Sequence, residues 1–118
     1  VRSVELNVTQ RCSSTLLSKT DLDEASLAGQ AGVQAILAGE TGKMVAFHRL
    51  TNEPYTIATR LVDVNEVCNQ EKKVPLEWII NNDTDIADEF ISYVLPLIQG
   101  NVTIPQEDGL PLFAYRNS

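Results

Sequence analysis

One long helical stretch with a strand-like run on either side does most to limit what this chain can fold into. From Thr20 onward, Leu22, Ala25, Gly29, Val33, Ile36 and Leu37 recur at helical spacing and fall on one face. Thr20 has the character of an N-cap, with Asp23 three residues on as a short-armed capping box. Asp21, Asp23 and Glu24 put negative charge in the first turn, where the helix dipole favours it, and Gly39 is the expected stop. Before the helix, Val4, Leu6 and Val8 alternate with Glu5, Asn7 and Thr9, the period of a half-buried strand. After it, Met44-Val45-Ala46-Phe47 reads as a buried strand. Strand, helix, strand in this order predicts the α/β class, with a βαβ-based parallel or mixed sheet and packed helices. Gly29 and Gly32 each cost roughly 1 kcal/mol against Ala in a helix interior. Their presence predicts close approach of another backbone.

Further on, Tyr55 to Val64 predicts another strand and Val64 to Cys68 a short helical turn. Pro75 interrupts the chain before Leu76-Glu77-Trp78-Ile79-Ile80. Asn81 to Asp85 supplies caps for a second helix, whose broad apolar face holds Ile86, Phe90, Val94 and Leu97 together with Ala87, Ile91 and Leu95. Pro96 must kink or end that helix, because proline removes one of its hydrogen bonds. The tail through Asp108-Gly109 is expected to be extended, with a turn.

The length, 118 residues, suits one domain over 1–118 with its own core, and too little chain is present for two. With 43% hydrophobic and 21% charged residues the composition is ordinary for a globular protein, so disorder is not expected. The net charge of −7 and pI near 4.5 argue against nucleic acid or an anionic membrane as partner. Only nine Lys or Arg are present, scattered apart from Lys72-Lys73. No apolar run approaches the roughly 18–20 residues of a membrane span. The first residues offer no signal-peptide pattern and no Met, and they enter a strand pattern at once, which predicts a piece excised from a longer protein. Cys12 and Cys68 are too few for a disulfide framework and fit reduced thiols in the cytoplasm. The N-x-T matches at Asn7, Asn82 and Asn101 are read as chance.

Several motifs tempt and fail. Gly39-Glu40-Thr41-Gly42-Lys43 lacks the four-residue spacing and the Ser or Thr of a phosphate-binding P-loop, and it follows a helix where a P-loop precedes one. Asn81, Asp83 and Asp85 alternate like the start of a calcium loop, but Ile86 stands where the sharp turn demands Gly and Ser92 where Glu is needed. His48, the only histidine, has no partner at metal-ligand spacing, and nothing local pairs it with Cys12 as a nucleophile. Lys72 and Lys73 are candidates for contact with a phosphate or a partner's acidic surface, against the plainer reading of a solvated loop. Gln10-Arg11 stands apart through its place at the carboxyl end of a predicted strand, where open α/β sheets bind ligands. The planar guanidinium of Arg11 suits a phosphate or carboxylate, which it can grip with two parallel hydrogen bonds. An ion pair with Asp21, Asp23 or Glu24 accounts for Arg11 equally well.

The run Leu6-Asn7-Val8-Thr9-Gln10-Arg11, then Ser18-Lys19-Thr20-Asp21 and Leu37-Ala38-Gly39, resembles the 6-phosphofructokinase family. There a strand ends in Gln-Arg, an Asp opens the next helix, and that helix closes on Leu-Ala-Gly. Glu71-Lys72-Lys73-Val74-Pro75, Leu95-Pro96-Leu97-Ile98-Gln99-Gly100 and Asp108-Gly109-Leu110-Pro111 look like the carboxyl-terminal part of the branch that includes diphosphate-dependent members. The resemblance implies a carboxyl-terminal, substrate-side portion of an enzyme of glycolysis. Its parent would transfer a phosphoryl group from ATP or diphosphate to the 1-hydroxyl of fructose 6-phosphate, with magnesium. It also implies that Arg11, with Gln10 beside it, binds fructose 6-phosphate, and that no catalytic or metal-binding residue lies in this chain. The catalytic domain would be the missing amino-terminal part, and the parent would be a cytoplasmic homo-oligomer. The chain departs from the family pattern at Val8, where many relatives have His or Tyr, and at Cys12-Ser13, where two glycines are usual. Those departures support the alternative of a non-catalytic binding or assembly module that kept the fold and lost the sugar-phosphate site.

Overall fold

A computed structural model describes residues 2–5 and 12–112. The predicted helix forms as α1, Lys19–Leu37. Its N-cap is Ser18, two residues earlier than expected, and the Ser18 hydroxyl accepts the Asp21 N–H at 3.1 Å. Thr20 lies inside the first turn. The C-terminus closes as anticipated: Gly39 takes a φ of 86°, its N–H reaches Ile36 O, and the Glu40 N–H reaches Ala35 O, the two bonds of a Schellman motif.

Strand β1, Lys43–Asn52, turns back through Glu53-Pro54 into β2, Tyr55–Asp63. The two pair antiparallel from Lys43↔Asp63 to Asn52↔Tyr55, with an irregularity between Arg49 and Thr51. So short a connection permits an antiparallel return and no crossover. The α/β character therefore stands, while every strand pair among the described residues is antiparallel. The parallel partner of a βαβ unit would have to come from Val4–Thr9. Of that stretch Val4 and Glu5 lie outside any strand, and residues 6–9 lie outside the described residues.

The face that α1 turns toward the hairpin differs from the expected one. Half-buried positions along it are Thr20, Glu24, Ala28, Ala31, Gly32 and Ala35, a ridge of mostly small side chains that admits the strands closely. Opposite it on the sheet are Val45, Phe47 and Arg49 with Ile57, Thr59 and Leu61, which alternation places on one side. The bulkier stripe is left facing out, with Leu22 46%, Val33 59%, Ile36 73% and Leu37 83% exposed. Periodicity found the bulky apolar face of the helix, and the hairpin meets the other one.

The two helix glycines are also not where backbones meet among the described residues. A Cβ on Gly29 would meet nothing within 4 Å, and one on Gly32 only Val45 Cγ2 at 3.8 Å, an ordinary contact. Gly32→Ala should accordingly stabilise the intact protein by about 0.5–1 kcal/mol through helix propensity and reduced unfolded-state freedom. A raised denaturant midpoint is the expected readout, and a lowered one would reveal a close approach from elsewhere.

After β2 the chain makes the predicted helical turn, α2, Val64–Val67, capped by Asp63, whose carboxylate accepts the Asn65 N–H at 2.9 Å. That backbone hydrogen bond, then the Asn65 side chain, holds the Asp63 carboxyl below its ordinary value. A 3₁₀ turn at Leu76–Trp78 leads into β3, Ile79–Ile80, which pairs antiparallel with β4, Asp85–Ile86. Here the expected caps do something else. Asn81, Asn82 and Asp83 take positive φ values of 53°, 53° and 65° and form the hairpin turn, which Asn and Asp tolerate better than other side chains. Helix α3, Asp88–Val94, starts after Ala87 with no side-chain cap. It gives way at Leu95 to a 3₁₀ turn, Leu95–Ile98, with Pro96 in its first positions. The tail closes as β5, Gln106–Glu107, and β6, Leu110–Pro111, around an Asp108-Gly109 turn with both φ values positive.

The core expected from length is not seen among the described residues. Among the described residues none is buried, whether apolar or polar.

Candidate functional site

At the amino-terminal end of α1 four elements and a loop converge on a cleft of about 330 Å³. Asp21 and Glu24 come from α1, Phe47 and Arg49 from β1, Tyr55 and Ile57 from β2, Lys72 from the loop after α2, and Tyr93 and Leu97 from the segment around α3. Arg49 is the hinge of this arrangement. Its guanidinium carbon lies 4.9 Å from the centre of the Tyr55 ring and 4.8 Å from that of Tyr93, a cation between two π faces. Nη2 donates to the Tyr93 carbonyl at 2.7 Å, and Nη1 reaches Asn52 Oδ1 at 3.4 Å. The Tyr55 hydroxyl donates to Glu24 Oε1 at 2.6 Å, which ties β2 to α1. Burial, then the hydrogen bond to Glu24 and its charge, push the Tyr55 phenol above its ordinary value. Trp78 extends the aromatic group with its ring centre 5.6 Å from Tyr93 and 6.1 Å from Phe90.

Of the residues singled out from sequence, Lys72 enters this cleft and Lys73 does not line it. The Lys72 ammonium lies 5.6 Å from the Tyr93 ring centre, and Lys73 is exposed. Gln10 and Arg11 lie outside the described residues. Two of the acids weighed as partners for Arg11 have partners here. Asp23 pairs with Lys19 at 2.6 Å, and Glu24 accepts from Tyr55. His48 sits in β1 opposite Ala58, and Cys12 and Cys68 are exposed free thiols. Sequence reasoning missed Arg49, Tyr55 and Tyr93, since cation–π partners so far apart along the chain leave no local pattern.

The start of α1 is a natural place to look for an anion, because its first N–H groups have no intrahelical acceptor. Here protein oxygens take them. The Lys19 N–H donates to Gly100 O at 3.1 Å and the Thr20 N–H to Gln99 O at 3.2 Å. The Asp21 N–H goes to Ser18 Oγ, and Ser18 Oγ itself donates to Leu97 O at 2.6 Å. An isolated antiparallel bridge joins Ser18 to Asn101. The segment Leu97–Asn101 is thereby stapled across the helix start, and the N–H groups of Lys19, Thr20 and Asp21 are all taken by protein oxygens. The described residues also contain no group of three or more His, Cys, Asp or Glu able to hold a metal ion.

A long helix on an antiparallel hairpin, followed by a short helix that ends in Leu95-Pro96-Leu97-Ile98-Gln99-Gly100, defines a piece of the phosphofructokinase-type α/β fold. The solved pyrophosphate-dependent phosphofructokinase of Marinobacter aquaeolei matches it with a TM-score of 0.84 and 34% identity, over 91% of this chain and 27% of that one. That of Nitrosospira multiformis matches with a TM-score of 0.84 and 32% identity, over 90% of this chain and 27% of that one. In sequence, the chain is 37% identical over 105 residues, 89% of its length, to the pyrophosphate–fructose 6-phosphate 1-phosphotransferase of Halomonas elongata. It is 36% identical over 102 residues, 86% of its length, to the protein of the same name in Methylococcus capsulatus. No family model matches the chain. It belongs to the phosphofructokinase family, and it spans about 25% and 24% of the length of those two curated relatives.

Proposed function

We propose that this chain is the carboxyl-terminal, substrate-side portion of a diphosphate-dependent 6-phosphofructokinase. In the whole enzyme a phosphoryl group would pass from diphosphate to the 1-hydroxyl of fructose 6-phosphate. The observation that carries this is the likeness, across nearly the whole chain, to proteins all named for that reaction. The same names favour diphosphate over ATP as donor. Residues 1–118 then act as one unit that completes the sugar-phosphate side, while the donor site and magnesium belong to the part this chain does not carry. A cytoplasmic homo-oligomer goes with this reading, and among the described residues no helix is long and apolar enough to cross a membrane.

Within the chain, Arg11 with Gln10 beside it is the fructose 6-phosphate contact in this proposal. The engagement of Asp23 with Lys19 and of Glu24 with Tyr55 supports it, because it weakens the rival account of Arg11 as an ion-pair partner for those acids. Lys72, over the Tyr93 ring, is the second candidate for a phosphate, and Lys73 flanks it. Arg11→Ala in the intact enzyme should raise the KM for fructose 6-phosphate about a hundredfold, as loss of a charge-assisted double hydrogen bond does. An unchanged KM in a folded variant would instead mean a merely structural Arg11, and an intact protein with no turnover at all would favour the non-catalytic module to which Val8 and Cys12 point.

A further inference from the structure

We propose that the cleft between α1 and Arg49 binds a hydroxylated phosphate monoester, with its phosphate on Arg49 and Lys72 and a hydroxyl on Asp21. The proposal rests in part on the reading of Lys72 as a phosphate contact, and it adds Arg49 and Asp21. The cleft, about 330 Å³, is of the size usual for small-molecule sites. It also has their make-up, with apolar side chains of Phe47, Ile57 and Leu97 and a few charged groups set among them. Those charges are of both signs and are not spent on each other. The ion pairs among the described residues are Lys19 with Asp23 and Lys43 with Asp63, and neither lies within the cleft. Tyr55 holds the signs apart, its hydroxyl on Glu24 at 2.6 Å and its ring centre 4.9 Å from the Arg49 guanidinium carbon.

Arg49 and Lys72 share the Tyr93 ring instead, at 4.8 Å and 5.6 Å from its centre. Two cations on one ring repel each other, and an aromatic face at an exposed site offsets little of that. A phosphate between them would relieve it. Arg49 is also held in place for the task, through Nη2 on the Tyr93 carbonyl at 2.7 Å and Nη1 toward Asn52. A guanidinium has five N–H groups, so donors remain for a planar, two-point grip on phosphate oxygens. A bare anion suits the cleft less well, because Asp21 and Glu24 would repel it. An ester that carries hydroxyls removes the conflict, since an ionised carboxylate is an acceptor and a hydroxyl can donate to it. Glu24 already accepts from Tyr55, which leaves Asp21 as the acceptor for the ligand.

The test titrates the intact protein with glucitol 6-phosphate and, separately, with inorganic phosphate by calorimetry, and measures the KM for fructose 6-phosphate alongside. Arg49→Met should weaken binding of the ester about tenfold, as loss of a charge-assisted contact does. Lys72→Met, at an exposed side chain, should weaken it about threefold. Asp21→Ala separates a binding role from a structural one. It should weaken the ester about fivefold, the size of one hydrogen bond, while phosphate binds as before or more tightly once the repelling charge is gone. Equal weakening of both ligands by Asp21→Ala would overturn the proposal, and so would ester binding that neither cation variant disturbs. A KM for fructose 6-phosphate that rises with both cation variants would identify the ester as the substrate. An unchanged KM beside lost ester binding would identify it as an effector. An intact protein without turnover would remove the phosphofructokinase reading, and the titrations would still decide the cleft. If Arg49→Met does not fold, having lost its bond to the Tyr93 carbonyl, the exposed positions Lys72 and Asp21 carry the test.

Discussion

The isolated chain of 118 residues should show no phosphofructokinase turnover and no cooperative unfolding transition. Its accessible surface is 10528 Å² at 13.0 kDa, where a folded monomer of that mass exposes roughly 6,300 Å². No described residue is buried, and Leu22, Val33, Ile36 and Leu37 on α1, with Met44 and Leu50 on β1, face solvent. Burial of apolar surface is the dominant favourable term in folding and must offset a conformational cost of similar size. Among the described residues the elements meet pairwise, helix on hairpin and hairpin on α3, and enclose none of them. Phosphoryl transfer also needs groups that cradle the donor and neutralise its charge, and the sequence offers no glycine-rich donor loop. Calorimetry of the isolated chain should give no peak, and a hydrophobic dye should bind strongly. A sharp transition with a heat-capacity change near 1.5 kcal/mol/K would overturn the stability half. Measurable turnover would overturn the catalytic half.

Gly100→Ala should cost the intact protein about 3 kcal/mol, more than other single exposed substitutions in this chain. Two effects add at that position. Gly100 has a φ of 81°, which an L side chain occupies at a cost of about 1–2 kcal/mol. A Cβ there would also sit 2.7 Å from Lys19 Cβ and 3.7 Å from Lys19 Cα, with α1 holding Lys19 in place. Forcing such an overlap typically costs about 1–3 kcal/mol. Gly109→Ala is the control. Its φ is 79°, but nothing lies within 4 Å, so only the backbone cost of about 1–2 kcal/mol remains. Denaturant midpoints of the two variants should separate clearly. Equal losses would mean that Lys19 can yield, and that the contact between the helix start and the Leu97–Asn101 segment is soft.

What could be read from residues follows from how far each signal reaches. Gly39 stopped the helix where expected because a Schellman closure depends on a few consecutive residues. Asp108-Gly109 gave its turn for the same reason. Ser18 was overlooked as the cap, although Ser18-Lys19-Thr20-Asp21 carries the signature of a serine three residues ahead of an acid. Asn81 to Asp85 misled because the same side chains suit a helix cap and a left-handed turn, and the pairing of Ile79 with Ile86 chose the turn. The family likeness lay in ordered local runs, so it too was legible.

By itself the sequence determined the helix and its Gly39 stop, the presence of the two strands after it, and the kinship that makes Gln10 and Arg11 the proposed sugar-phosphate contact. Only the tertiary structure decided that the small-residue ridge of α1, and not its bulky stripe, meets the hairpin. It alone brought Glu24, Arg49, Tyr55, Lys72 and Tyr93 to one cleft. It also closed the start of α1 with oxygens from Leu97, Gln99 and Gly100. Local structure follows hydrogen bonds and torsions within a few residues. Which faces meet depends on apolar surface and donors contributed from far along the chain, and for the exposed stripe of α1 the chain itself supplies no partner among its described residues.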